Sequence, residues 1–451
     1  MNYNFDTPIS RRHTDCVKWD EAAPDELPLW VADMDFETAP CVREAIIRRA
    51  QHGIYGYALV PEGFYDAIIW WQRQRHGWQV QRDWILYTSG VVPAVSAIIK
   101  GLCHPGDGVL TFTPAYNCFF SSIRNNGCRL VDFPLSWSPA DERYTIDFDA
   151  LERTLDREHP RLFLLCNPHN PSCRVWTQEE LSHIASLCAA RDITVLSDEI
   201  HCEFVHPQLG RPFLPFAPIA DSVGCHWVIA NAPNKAFNIA GLQTAYIISP
   251  DADVRARIDR AINDNEVCDI NCFSFVALQA AYTPEGAEWL DQLNAYIYEG
   301  YHQFRIALKS AFPSLPIAHL EGTYLAWLDI HSLPSHSTTS ASGGSPAGNP
   351  LPSHSITSAS GGSPAGNPLL DGSLPSPLTP HPSPLNAHPS PLTPPSSSSL
   401  SAFLRHDYRL WINPGDLYGQ PGFLRVNLAT QHALLATATS RLIQGLSAYL
   451  N

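Results

Sequence analysis

Across residues 84–248, short apolar runs alternate with stretches of helical period. Strand-like runs fall at 84–88, 108–112, 161–166, 194–197, 227–230 and 244–248, each rich in Val, Ile, Leu, Phe, Trp or Tyr. Helical patterns lie between them, for example at 93–103 and 178–191, the second opened by Thr177 and Glu180 in a capping-box spacing. Strand–helix alternation of this kind predicts an α/β layer around a largely parallel sheet. Ligands of such sheets gather where strands hand over to loops at their carboxyl ends. The chemistry is therefore sought at those strand ends.

The rest of the composition narrows the class. Of the 451 residues, 45% are hydrophobic, ample for large cores. The formal charge is −15 and no basic stripe occurs, which argues against nucleic acid as a partner. Twelve cysteines are irregularly spaced with no CxxC pair, a pattern expected of a reducing compartment rather than a disulfide framework. The residues at 15–26 are polar and acidic, no apolar signal core precedes them, and no run reaches the roughly 18 apolar residues of a membrane span. A cytoplasmic location, with no membrane contact, is the expectation.

One segment departs from this pattern. Residues 333–350, LPSHSTTSASGGSPAGNP, recur at 351–368 with Thr338 replaced by Ile356, and Ser/Pro-rich sequence continues to Ser399. Fifteen of the chain's 39 prolines lie in 333–399, and Asp371 is its only acidic or basic residue besides the histidines. Such a segment has no period and little to bury, so it is expected to be a disordered insertion. It interrupts one loop between a strand-like run at 323–330 and a helical stretch at 400–408, which is followed by a strand-like run at 409–412. Long loop insertions are tolerated because closure entropy grows slowly with length.

Four strand ends carry candidate chemistry. Of only four lysines, Lys100 and Lys309 lie on helical stretches and Lys18 in the acidic N-terminal arm. Lys235 follows the apolar run WVIA by a short loop, where desolvation would depress its pKa and suit imine chemistry. Upstream, an apolar run ends in Ser-Asp-Glu-Ile-His at 197–201. Asp198, Glu199 and His201 are too close in sequence for a convincing metal site, so no metal is expected; Asp198 could cap a helix or ion-pair with a protonated ring nitrogen. Cys-Asn-Pro-His-Asn-Pro at 166–171 reads as an extended turn with free amide side chains. Tyr87-Thr88-Ser89-Gly90-Val91-Val92-Pro93 runs from strand to helix, and the free N–H groups of a helix start bind phosphate. It lacks the lysine of a Walker loop and the spacing of a dinucleotide fingerprint.

As an ordered set, these motifs resemble the fold-type-I pyridoxal-phosphate enzymes, the aspartate aminotransferase superfamily, over nearly the whole chain outside 333–399. Within it the chain looks most like the cystathionine β-lyase-type C–S lyases, on PLWVADMDF (28–36), GIYGYAL (53–59), TSGVVPAVSAI (88–98), PAYNCFF (114–120), NPHNPSCRVW (167–176) and NPGDLYGQPGFLRVNLA (413–429). The resemblance implies a large domain at 46–281 holding a mostly parallel seven-stranded sheet. It implies a smaller α+β domain from both chain ends, 1–45 with 282–332 and 400–451.

The same resemblance implies pyridoxal 5′-phosphate carried by Lys235 as a Schiff base, with Lys235 later moving the substrate Cα proton. Asp198 would hold the pyridine nitrogen, Asn170 the ring's 3′-oxygen, and Tyr116 would stack on the ring. Gly90 and Val91 would give backbone N–H groups to the phosphate, and Tyr57 would reach the phosphate of a second subunit, implying a homodimer. Arg425 would clamp the substrate α-carboxylate with its planar fork, near Asn170 and Tyr57. His201 stands where many relatives carry a tyrosine, with a supporting and a purely structural role both open.

Four departures from the superfamily pattern accompany these matches: Ala232 for a phosphate-binding Ser or Thr, Gln243 for an arginine, Asn234 for Ser, and Cys173 for a glycine of positive φ. The reaction implied is β-elimination at a C–S bond of L-cystathionine or a cysteine S-conjugate. An aminotransferase sharing the same residues, or a cofactor-binding regulatory protein, remains the alternative.

Overall fold

The computed structural model describes residues 2–264, 269–333 and 396–450. These lie in one compact unit, Met1–Pro334 with Pro394–Asn451. The repeat-bearing segment expected to be disordered lies, from residue 334 to 395, outside the described residues.

Seven strands form the central sheet: β1 (Ile85–Thr88), β2 (Gly108–Thr113), β3 (Arg129–Pro134), β4 (Leu162–Cys166), β5 (Thr194–Asp198), β6 (Trp227–Asn231) and β7 (Ala245–Ile248), in the order β1-β7-β6-β5-β4-β2-β3. All neighbours pair in parallel except β7, which is antiparallel to both β1 and β6. The sheet is therefore mostly parallel, as expected. Strands β2, β4, β6 and β7 are buried at every position, the signature of a sheet covered on both faces.

Helices α1 (Glu62–His76), α2 (Val91–Leu102), α3 (Asn117–Asn125) and α4 (Gln178–Ala189) cover it. At α4 the Thr177–Glu180 capping box forms: Glu180 N donates to Thr177 Oγ1 and Thr177 N donates to the Glu180 carboxylate. This satisfies two backbone donors that a helix start otherwise leaves open.

The second layer is built from the chain's later half. The 28-residue helix α5 (Pro284–Ala311) leads into β8 (Leu325–Asp329), and α6 (Ser397–Tyr408) precedes β9 (Asn413–Pro414) and β10 (Phe423–Asn427). These three strands form an antiparallel sheet ordered β8-β10-β9, and α7 (His432–Leu450) closes the chain. The N-terminal arm joins this layer, with Leu27–Pro28 pairing in parallel with Leu410–Trp411.

Helix α6 begins three residues earlier than expected. Ser396 caps it, and the buried Ser397 hydroxyl donates to Asp416 and accepts from Gly422 N. Serines that compositional reading joins to the Ser/Pro-rich insertion thus serve as a helix start, because their hydroxyls satisfy backbone donors. Every described cysteine is free, and no helix among the described residues is long and apolar enough to cross a membrane.

Candidate active site

Lys235 sits on the loop after β6, and its amine donates to the carbonyl of Ala32 at 2.6 Å. Burial pushes the amine down to about 8 from its ordinary value near 10.5; Asp33 and Asp198 resist that shift and Arg425 reinforces it. The amine is thus poised to exchange protons near neutral pH. The other lysines are occupied as charges: Lys100 pairs with Asp264, Lys309 with Glu142, and Lys18, wholly buried, with Asp35 at 2.9 Å.

Asp198 ends β5, buried, beside Cys166 of β4 and Ala230 of β6 in the sheet register. Its carboxyl accepts from Ile200 N at 3.1 Å, and burial pushes it up to about 7 against that hydrogen bond and the Lys235 charge. A carboxylate this dry and so lightly hydrogen-bonded is a receptor for a cationic group. Glu199 behaves differently. One oxygen accepts from Phe216 N and Ser197 Oγ, tying β5 to the next helix, and burial raises the carboxyl to about 8. His201 is also buried; burial first, then Lys235 and Arg425, push it down to about 3, so it is neutral, and its Nδ1 has no partner.

Arg425 lies at the middle of β10, 4% exposed. Its Nη1 donates to Asn170 Oδ1 at 3.3 Å and its Nη2 to Trp30 O at 2.9 Å, while Nε is buried without a partner. The guanidinium lies over the Tyr418 ring, 4.5 Å from its centroid. Among the described residues no carboxylate ion-pairs with it. A buried cation held only by neutral groups and an aromatic face is built to receive an anion. Asn170 belongs to the turn after β4, where the Asn167–Pro168 and Asn170–Pro171 peptides are both cis.

Tyr116 caps α3 with its ring edge-on to Phe119, 5.8 Å between centroids; burial raises its hydroxyl, and Cys118, Arg425 and Tyr418 act on it electrostatically. Gly90 is the N-cap of α2, Val91 its first residue, and no side chain caps this helix. A Cβ at Gly90 would meet the Pro93 ring at 3.3 and 3.7 Å and Gln243 Oε1 at 4.0 Å. A helix start with no side-chain cap leaves backbone N–H groups that suit an anion. Gln243, the departure from arginine, borders it with a neutral amide. Cys173 does occupy the glycine position in left-handed backbone, φ 65°, with its thiol donating to the Leu325 and Pro171 carbonyls.

Tyr57 stands apart from all of these at 97% exposure, in a segment where Ile54, Tyr55 and Leu59 are exposed too. The structure thus brings together Lys235, Asp198, Asn170, His201, Tyr116 and Arg425, puts Gly90 and Val91 at a helix start without a side-chain cap, and leaves Tyr57 in solvent. Beside His201, the ligand atoms of His76, Cys202 and Glu203 lie within 4.8 Å of one another. Glu203 is occupied by Trp71 Nε1 at 2.6 Å, His76 at 2.8 Å and the Arg75 guanidinium, so this group reads as a hydrogen-bonded anchor for the loop after β5.

Residue-by-residue reading of the sequence misses the roof of the site. Residues 30–33 cross above Lys235 and Arg425, and Asn427 Nδ2 holds them by Val31 O and Asp33 O, both at 2.6 Å. Tyr324 hydroxyl donates to Ala32 O at 2.9 Å. The only signal for them in the sequence is position: they lie inside the motifs at 28–36, 323–330 and 413–429.

A lysine at a sheet's carboxyl edge, an acid one strand away and a buried arginine from the smaller layer define the site class of fold-type-I pyridoxal-phosphate enzymes. The family model for aminotransferase class I and II matches residues 24–442, and the chain belongs to that family. It is 38% identical over 332 residues to cystathionine beta-lyase PatB of Bacillus subtilis (strain 168), covering 72% of this chain and 84% of that protein. It is 32% identical to protein MalY of Escherichia coli (strain K12), covering 73% and 85%. The crystal structure of cystalysin from Treponema denticola, which contains pyridoxal 5′-phosphate, superposes with a TM-score of 0.82 at 27% identity, covering 99% of this chain and 100% of that one.

Proposed function

We propose that the protein is a pyridoxal-phosphate-dependent carbon–sulfur β-lyase that cleaves L-cystathionine or a related cysteine S-conjugate to a thiol, pyruvate and ammonia. The observation that carries this reading is the convergence of a depressed lysine amine, a dry acceptor carboxyl and an arginine without an acidic partner. The relatives named as β-lyases support the choice of reaction.

The residues fit the cofactor. Asp198 would hold a cationic ring nitrogen, and the N–H groups of Gly90 and Val91 at the uncapped start of α2 would receive the phosphate. Asn170 and His201 would serve the ring's 3′-oxygen, and Tyr116 would stack on the ring. When bound, the cofactor supplies the electron sink that cleavage of the substrate Cα–H bond requires. Lys235 would hold the cofactor and, as a free amine, would take the Cα proton. Arg425 holds the substrate carboxylate and so fixes which Cα bond faces Lys235. Tyr418 lies against the Arg425 guanidinium, and the Tyr324 hydroxyl shares the Ala32 carbonyl with the amine. Tyr57, 97% exposed in this chain, would reach the phosphate of a second copy in a homodimer.

The test is to incubate protein, pyridoxal phosphate and L-cystathionine without a keto acid, and to follow pyruvate and homocysteine. Equal release of both, abolished in Lys235→Ala, supports the lyase. Turnover only after 2-oxoglutarate is added would overturn it in favour of an aminotransferase.

A further inference from the structure

The carbonyls of residues 30–33 divide between two tasks. Val31 O and Asp33 O are both held by Asn427 Nδ2. Trp30 O accepts from Arg425 Nη2 and Asn413 Nδ2, and Ala32 O accepts from Lys235 Nζ at 2.6 Å and Tyr324 hydroxyl at 2.9 Å. One short stretch of backbone therefore holds both working cations. At Ala32 the amine shares its acceptor with a second donor.

That second donor is firmly placed. Tyr324 is wholly buried, its ring edge-on to Phe204 at 4.8 Å and to His201 at 6.0 Å between centroids. Burial raises the hydroxyl well above its ordinary range, so it stays protonated and donates at every working pH. A carbonyl oxygen with two lone pairs can serve both donors, yet each hydrogen bond it accepts draws electron density from the other. An ammonium gains more from such a carbonyl than a neutral amine does. A donor that shares the oxygen therefore favours the uncharged amine.

We propose that Tyr324 is a positioning residue for Lys235: through the shared Ala32 carbonyl its hydroxyl aims the amine and keeps it available as a base. This rests on the reading of Lys235 as the reactive lysine. The other groups acting on that amine come from different elements. Asp33 of the arm and Asp198 of β5 favour its charged form, Arg425 of β10 opposes it, and Cys118 of α3 favours it when ionised. His201 is neutral. Tyr324 differs from the charged groups among these in acting without a charge of its own.

The experiment uses the full chain freed of cofactor and measures the pH dependence of reductive methylation at Lys235 by formaldehyde and cyanoborohydride, read by peptide mass spectrometry. Tyr324→Phe keeps the ring and removes only the donor. Its Lys235 pKa rises by up to about one unit, the worth of one hydrogen bond, with up to about tenfold less free amine at neutral pH. A fluorinated tyrosine placed at 324, a stronger donor, shifts the pKa the opposite way. Shifts of opposite sign support the assignment, since general loosening of the site moves both variants alike. An unchanged pKa in Tyr324→Phe, or shifts of one sign in both, overturns it. If Tyr324→Phe does not fold, the fluorinated variant decides alone, and no shift there overturns the proposal. A pKa response in a protein without lyase turnover would overturn the lyase reading and leave this assignment standing.

Discussion

Arg425→Lys separates the role of a planar fork from that of a positive charge. In the structure the guanidinium spends Nη1 on Asn170 and Nη2 on Trp30 O, leaves Nε without a partner, and rests on the Tyr418 face. A carboxylate arriving here replaces weak neutral acceptors with two parallel charge-assisted hydrogen bonds. Lysine keeps the charge but offers a single flexible point, so one of the two bonds is lost along with part of the alignment. One hydrogen bond to a charged group is worth roughly 1.5–3 kcal/mol, which predicts a fall in kcat/KM of about 10- to 150-fold. Misalignment of the Cα–H bond puts part of that loss into kcat rather than KM. The assay is steady-state pyruvate release across substrate concentration, in parallel with an amine substrate lacking the α-carboxylate. On that substrate wild type and variant should be equally slow. If Arg425→Lys keeps kcat/KM within about threefold of wild type, or loses as much on the carboxylate-free substrate, the carboxylate is not bound here and the reasoning fails.

Asp198→Asn removes the acceptor for a cationic ring nitrogen at a buried position; breaking such a pair costs about 3–5 kcal/mol, so turnover should fall at least a hundredfold, measured as pyruvate release at saturating cofactor. Lys235→Met should stabilise the cofactor-free chain at pH 7 by about 1–3 kcal/mol in thermal unfolding. The sign follows from a folded-state pKa of about 8 below an ordinary value of 10.5: under pH 8 the folded chain carries a charge it disfavours, so wild-type stability climbs between those two values and the variant's advantage vanishes above them. Tyr57→Ala should leave unfolding of the isolated subunit unchanged, because the side chain is 97% exposed, while weakening phosphate-dependent cofactor binding and self-association, read by fluorescence titration and sedimentation.

Much of this architecture was legible because buried parallel strands announce themselves as continuous apolar runs, as β4 and β6 do. Strand β3 escaped notice for the converse reason: it is the sheet's edge, and its Arg129, Asp132 and Pro134 face solvent, so its sequence does not read as a run. The start of helix α6 is hidden in the sequence because serine-rich composition looks the same in a helix cap and in an unstructured tract. At the site, a single sequence can show a lysine after a strand. That Arg425 meets Asn170 across 255 positions follows only from the family pattern or the fold.

The roof shows where residue types stop being informative. Ala32 matters through its carbonyl, which every residue possesses, and Tyr324 reaches it from 292 positions away. What fixes that carbonyl is Asn427, two residues beyond Arg425 on the same strand, whose amide grips the backbone on either side of Ala32. Strand β10 therefore sets two things at once: the side chain for the substrate's carboxylate and the backbone that receives the base. A substitution that shifts β10 should disturb carboxylate binding and lysine ionisation together, whereas Tyr324→Phe should disturb only the second. That asymmetry follows from the hydrogen-bond connectivity alone, and composition carries no trace of it.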